Sequence, residues 1–231
     1  VNVVRCVAVI PARGGSKGVP LKNVAPIAGT TLLDLAIDSA RGAAAITDIV
    51  VTTDHPTIAE RARARDVIVI DRPAALAGDD SPTVDAVRHV LDTLALADDT
   101  VVVTLQPTSP LRTHRHVEEA LREFADHSSG TVVSVCEAEH HPLKTFTIDS
   151  GNAVVPMRDM ATLESPRQAL PRYFRANGAI YVSRAGDIRR HDSVVAPEPH
   201  CYVMDRRSSL DVDSALDMRI AEALLRGDLG S

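Results

Sequence analysis

With 231 residues, a hydrophobic fraction of 45% and a formal charge of −6, the chain can bury one large α/β core but lacks the basic surface of a protein that coats nucleic acid. Cys6, Cys136 and Cys201 are odd in number, far apart and without C-x-x-C spacing, so neither a disulfide framework nor a cysteine-based zinc site is indicated, and a reducing cytoplasm fits. There is no run of about 18 apolar residues and no leader-like pattern, so neither membrane insertion nor export is expected.

The first predicted strand, Val3 to Ile10, runs into a loop from Pro11 to Asn23 that holds three glycines and three cations. Gly14, Gly15 and Gly18 allow positive φ and a close approach of backbone to ligand, while Ser16 and the backbone N–H groups can donate to phosphate oxygens. Arg13, Lys17 and Lys22 would neutralise the anion, and Pro11 and Pro20 stiffen the segment. The dinucleotide pattern G-x-G-x-x-G and the pattern G-x-x-x-x-G-K-[ST] both fail to fit, so a nucleotide-binding loop of another kind is expected.

Helical spacing follows at Leu32 to Arg41, then a strand at Asp48 to Thr53, a helix at Pro56 to Arg65 and a strand at Val67 to Ile70. Ser81 to Ala95 reads as a helix with Ser81 at its N-cap, Thr100 to Leu105 as a strand, His114 to His127 as a helix capped by Thr113, and Thr131 to Val135 as a strand. Strands alternating with helices of this length predict an α/β fold, a mainly parallel twisted sheet flanked by helices. Ligands bind beyond the carboxyl ends of such strands, which singles out Thr52-Thr53-Asp54 and the turn Gln106-Pro107-Thr108-Ser109-Pro110-Leu111-Arg112.

From residue 137 the alternation breaks. Pro142, Pro156, Pro166 and Pro171 interrupt the segment, and Phe146, Ile148, Val154 and Val155 alternate as in a hairpin. We therefore divide the chain into a core, 1–136 and 176–231, and an insertion, 137–175. The insertion carries His140-His141-Pro142-Leu143-Lys144, Arg158 and a run containing Arg167, Arg172 and Arg175. Such cations form either an acid-recognising surface, since Arg grips carboxylate or phosphate in a fixed fork, or a solvated loop. The two adjacent histidines lack the i, i+4 spacing of a helical metal pair.

The core resumes at Asn177-Gly178-Ala179-Ile180-Tyr181-Val182, continues at Cys201 to Met204 and ends in a helix around Ser214 to Leu225. Before that helix, Asp211 and Asp213 share one face of an extended segment, where paired carboxylates suit Mg²⁺ that completes its shell with water and phosphate oxygens. Asp213 could instead cap the helix. There is no G-x-S-x-G elbow, Ser-His-Asp arrangement or acid/base carboxylate pair, so positioning and charge neutralisation, as in phosphoryl or nucleotidyl transfer, are the expected catalytic means.

These motifs, in their order and spacing over nearly the whole chain, resemble those of the N-acylneuraminate cytidylyltransferases. The resemblance implies a fold of the nucleotide-diphospho-sugar transferase type and a CTP-dependent transfer to a small acidic acceptor with release of pyrophosphate. It implies that Arg13, Gly14, Ser16, Lys17, Lys22, Asn23 and Ser81 form the nucleotide site, that Arg13 and Lys17 serve catalysis, and that Asp211 and Asp213 hold Mg²⁺. Gln106, Lys144, Arg167, Arg175 and Tyr181 would meet the acceptor, with Lys144 and Arg167 crossing to the partner's site in a homodimer. No nucleic acid or membrane partner is implied. Ser193-Val194-Val195 stands where aromatic residues can line the N-acyl pocket, so another nonulosonic acid, or a phosphonate, is an alternative acceptor. A non-catalytic nucleotide-binding module is the alternative of another class.

Overall fold

In the computed structural model, which describes residues 5–15, 18–78, 80–127 and 130–228, strand β1 (Cys6–Pro11) lies inside a seven-stranded sheet with both faces covered. Its side chains alternate between two buried layers: Cys6, Ala8 and Ile10 join one apolar cluster, and Val7 and Val9 the other. A two-sided apolar strand of this kind is what a parallel sheet flanked by helices requires.

After β1 the chain forms a small antiparallel pair, β2 (Pro26–Ile27) and β3 (Thr30–Thr31), and then α1 (Leu32–Arg41), β4 (Asp48–Thr53), α2 (Pro56–Arg63) and β5 (Ile68–Asp71). It continues through α3 (Thr83–Thr93), β6 (Val101–Leu105), α4 (His114–Asp126) and β7 (Val132–Glu137). A hairpin, β8 (Phe146–Ile148) and β9 (Val154–Pro156), and the short α5 (Met160–Glu164) precede β10 (Phe174–Arg184), α6 (Ala185–His191), β11 (His200–Val203) and α7 (Ala215–Arg226). The large sheet has the order β11-β7-β10-β6-β1-β4-β5. All neighbours in it are parallel except that β10 runs antiparallel to both β6 and β7.

Helices α1, α2 and α4 supply Leu33, Ile37, Ile58, Val117 and Phe124 to one face, whereas α3 and α6 supply Val87, Val90, Leu91 and Ile188 to the other. The chain moves from β1 outward to β4 and β5, then returns to place β6 on β1's other side. That reversal opens a crevice beyond the carboxyl ends of β1 and β6.

The expected strands and helices are all present, with shifted ends. Val3 and Val4 lie outside the described residues. The third helix begins at Thr83 and its N-cap position is Pro82, so Ser81 is not the cap that its side chain suggests. Thr113 does stand at the N-cap of α4, where its N–H donates to His116 Nδ1 at 3.0 Å. The small β2–β3 pair, α5 and α6 have no counterpart in the sequence reading, because each is too short for a periodic signal.

Phe174 pairs with Glu137, so the chain between them leaves the sheet and returns to the same place. Within that excursion Phe146, Ile148, Val154, Val155, Met157 and Met160 are all exposed. No helix among the described residues is long and apolar enough to cross a membrane.

Candidate active site

A cavity of about 360 Å³ occupies the crevice, a volume within the usual span of small-molecule sites. Its walls come from the loops after β1, β5 and β6, the start of α3 and the segment before α7. Arg13, Lys22 and Arg72 supply positive charge, and Asp211 and Asp213 face them.

The glycine-rich loop is held by three side chains, those of Asp54, Asn23 and Arg13. Gly14 N–H donates to Asp54 Oδ1 at 2.9 Å, Asn23 Nδ2 donates to Arg13 O at 3.0 Å, and Arg13 Nη1 donates to Gly78 O at 2.9 Å. Of Gly14, Gly15 and Gly18, neither Gly14 nor Gly15 has the positive φ that was expected. Smallness is what two of them contribute: a Cβ on Gly14 would lie 2.7 Å from the His55 side chain, and one on Gly18 would lie 2.1 Å from Asp213 O. The chain reverses at Leu21, whose φ of 48° lies in the left-handed region, at a cost of about 1–2 kcal/mol for a residue with a Cβ. Ser16 and Lys17, both expected on the phosphate, lie outside the described residues.

Lys22 follows the reversal and is buried. Its ammonium donates to Val212 O at 2.5 Å and to Asp213 Oδ1 at 3.1 Å, so it joins the loop to the aspartate segment. Ser214 caps α7 and forms a capping box with Asp217, which leaves the Asp213 carboxylate to the cavity. Asp211 stands deeper. Its Oδ1 is buried and has no hydrogen-bond partner among the described residues. Burial pushes the Asp211 carboxyl above the ordinary range and the Asp213 charge adds to this, against the lowering effects of the Thr108 hydroxyl, Lys22 and Arg175.

An unpartnered carboxylate oxygen beside a second carboxylate is a donor set that fits a divalent cation. Among the described residues no group of three or more His, Cys, Asp or Glu side chains could hold a metal alone. Two carboxylates with water and phosphate oxygens would complete such a site.

Gln106 lines the cavity at the mouth of β6. Arg112 fixes it from beneath: this arginine is 3% exposed, and its Nη1 donates at 2.8 Å both to Gln106 O and to Ala179 O. Burial lowers its pKa to about 9. Ser81 also lines the cavity, next to Pro82, Thr83 and Ala86 of the α3 start.

Sequence reasoning missed Arg72. It directly follows β5, is buried, and donates from Nη2 to Thr52 O at 2.7 Å. Burial lowers its pKa and the nearby Arg13 charge lowers it further, while Asp54 opposes both. The rule that picked out the loops after β1, β4 and β6 would have found it if applied to β5 as well.

The other acceptor candidates lie apart from the cavity wall. Burial and the Asp211 charge both raise the Tyr181 phenol, which places it in that carboxylate's field. Arg175 acts on Asp211 electrostatically while pairing weakly with Glu139 at 3.9 Å. Lys144 Nζ donates to Leu163 O at 2.8 Å, and Arg167 donates to Ala138 O and Glu139 O at 2.8 and 3.0 Å, all within the excursion between β7 and β10. His141 has both ring nitrogens engaged, with Leu143 N–H and Pro171 O, and has none left for a metal. Ser193 to Val195 follow α6 and do not line the cavity; the Val194 carbonyl accepts from Ser183 Oγ at 2.9 Å.

A family model described as cytidylyltransferase matches residues 7–196. An N-acylneuraminate cytidylyltransferase of Streptococcus agalactiae serotype III is 35% identical over 216 residues, 91% of this chain and 51% of the relative. The chain thus spans about half the length of that relative. A pseudaminic acid cytidylyltransferase of Campylobacter jejuni is 26% identical over 94% of this chain and 95% of its own length. Among solved structures, a CMP:2-keto-3-deoxy-manno-octonic acid synthetase complexed with CTP superposes with a TM-score of 0.74 over 97% of this chain and 100% of that one. At 18% identity, that likeness speaks for the fold.

Proposed function

The chain belongs to the cytidylyltransferase family, and we propose that it transfers the cytidylyl group of CTP to a small acidic acceptor of the nonulosonic acid class. The observation that carries this reading is the meeting of Arg13, Lys22 and Arg72 with Asp211 and Asp213 in one cavity at the ends of β1 and β6. The names of the streptococcal and Campylobacter relatives support the acceptor class, and the CTP in the similar structure supports the donor.

In the proposed reaction an acceptor hydroxyl oxygen attacks the α-phosphorus, the bond from that phosphorus to the α–β bridging oxygen breaks, and pyrophosphate leaves while the hydroxyl proton passes to solvent. Arg13, with Ser16, Lys17 and the loop N–H groups, would bind the triphosphate and hold it in line. Asn23, Arg72 and Ser81 would hold the nucleoside end, and Gln106 and Tyr181 the acceptor. Asp211 and Asp213 would hold Mg²⁺, which when bound supplies neutralising charge to the phosphate oxygens. The buried Lys22 keeps the aspartate segment against the glycine-rich loop.

The second copy of the chain enters this proposal through the excursion between β7 and β10. Six exposed apolar side chains on one short segment form a surface that self-association would cover. Lys144 and Arg167, which stay off their own chain's cavity, would then reach the acceptor's acidic group in the partner. The test is to incubate the protein with CTP, Mg²⁺ and a panel comprising N-acylneuraminate, pseudaminate, 3-deoxy-octulosonate and a phosphonate, and to measure pyrophosphate. Release that depends on one of the sugar acids supports the reading; release with the phosphonate alone overturns the acceptor class, and no release with any of them overturns the transfer.

A further inference from the structure

Asn177 is almost wholly buried and lies outside the cavity wall, yet it is the centre of a hydrogen-bonded network that ends two residues from Asp211. Its Oδ1 accepts from Ser134 Oγ at 2.6 Å and from Ala179 N–H at 3.2 Å, which fixes the amide orientation from the sheet side. Its Nδ2 then points outward from β10, donating to Ser209 Oγ at 2.9 Å and contacting Met204 Sδ at 3.3 Å. Ser209 Oγ in turn donates to Asp205 O at 2.7 Å and closes the turn that leads to Asp211.

On the other side of Asp211, Val212 N–H donates to Thr108 O at 2.9 Å. Asp211 is therefore suspended between two anchors, a backbone contact to the loop after β6 and a side-chain contact to β10. A buried amide costs free energy unless each of its polar atoms is satisfied. Here Asn177 meets that condition by joining the neighbouring strands β7 and β10 to an irregular segment. An apolar residue would fill the space but leave Ser209 without its donor.

We propose that Asn177 is a positioning residue that, through Ser209, sets where the Asp211 carboxylate stands toward a divalent cation. The inference rests on the cytidylyltransferase reading above. Removing a direct partner of a metal ligand changes affinity by about 10–100-fold, and because this network reaches Asp211 only through the backbone from Ser209, the lower end of that range is the scale expected here.

The test measures Mn²⁺ binding by the loss of the free-ion electron paramagnetic resonance signal, in the presence of CTP and without acceptor. The proteins are the full chain, Asn177→Asp, Ser209→Ala, Ser209→Thr and the Asn177→Asp/Ser209→Ala double variant. Asn177→Asp keeps the shape and the acceptor oxygen but loses the donor to Ser209. Each of Asn177→Asp and Ser209→Ala should weaken Mn²⁺ binding about tenfold or more, with metal-free CTP affinity unchanged. Ser209→Thr, which keeps the hydroxyl, should bind like the unaltered chain, and the double variant should be no weaker than the weaker single one. Ser209→Ala removes one oxygen only, so it keeps the test valid if Asn177→Asp does not fold. Unaltered Mn²⁺ affinity in the folded variants, or additive losses in the double one, overturns the positioning role. If the unaltered chain binds neither CTP nor Mn²⁺, the cytidylyltransferase reading itself falls, and this inference with it.

Discussion

Gly18 and Asp213 touch backbone to backbone: a Cβ on Gly18 would lie 2.1 Å from the Asp213 carbonyl oxygen. The glycine-rich loop and the aspartate segment are separated by nearly the whole sequence, and this contact, with the Lys22 bridge, makes them one unit. Any side chain at position 18 must push the phosphate-binding loop away from the carboxylates or displace the start of α7.

Gly18→Ala is expected to lower kcat/KM for CTP at least 100-fold, about the effect of losing one oriented donor, and to cost about 1–3 kcal/mol through overpacking. Gly15 has open space around it, so Gly15→Ala should alter stability by less than about 0.5 kcal/mol. Thermal unfolding and steady-state kinetics of both variants check this. Equal stability of the two variants would contradict the contact.

Asp211 combines a buried, unpartnered oxygen with a raised pKa, the marks of a group placed for function at the expense of stability. For a carboxyl whose folded pKa is raised, folding grows less favourable as pH rises through that value, so the ionised form weakens the metal-free protein at neutral pH. Asp211→Asn should therefore abolish turnover while stabilising the metal-free chain by about 1 kcal/mol. Denaturant melts without divalent cation measure it, and a destabilised Asn variant would show that the carboxylate has a structural role.

Much of this site was legible in the sequence because its residues follow strands whose apolar runs are unmistakable. Arg13, Gln106 and the Asp211/Asp213 pair meet at one cavity, as their placement after predicted strands or before a predicted helix led us to expect. What escaped is physical in kind. Positive φ was expected of three glycines, whereas what Gly14 and Gly18 contribute is room for His55 and Asp213, a need set by tertiary contacts that no local pattern reports. Ser81 has the chemistry of an N-cap, yet the helix begins two residues later with Pro82 before it, because Pro serves helix entry without a side-chain bond. Arg72 carries no motif of its own. The bond from Asn177 to Ser209 joins residues 32 apart and has no periodic signature.

Asp34 supports a pH prediction away from the site. It is buried at the start of α1, and although burial alone would raise its carboxyl, hydrogen bonds from Arg61, Thr31 and Arg65 outweigh it and bring the pKa below the ordinary 3.8. A depressed folded pKa means that the stabilisation is complete above the unfolded value and is lost as pH falls through the folded one. Asp34→Asn should cost about 2 kcal/mol at pH 7, moderated by the exposure of Arg61. The difference from the unaltered chain should shrink below about pH 4. A gap that stays constant to pH 3 would rule the ion pair out as its source.

Ile148 is 63% exposed on the apolar hairpin proposed to meet a second copy. Ile148→Glu places a charge where burial would be costly, so it should shift the chain to monomer in analytical ultracentrifugation and lower turnover through loss of the partner's Lys144 and Arg167. A variant that is monomeric with full activity would show that each chain completes its own site.

The most direct test of the account is the identity of the product. Mass spectrometry of a reaction containing the chain, CTP, Mg²⁺ and the sugar acid that supports pyrophosphate release should find a covalent conjugate carrying one CMP per acceptor, formed in equal amount with pyrophosphate. It should be missing with Asp211→Asn, in a preparation whose thermal melt shows the variant to be folded. Pyrophosphate accompanied by free CMP and unmodified acceptor, or a conjugate formed equally well by Asp211→Asn, would contradict it.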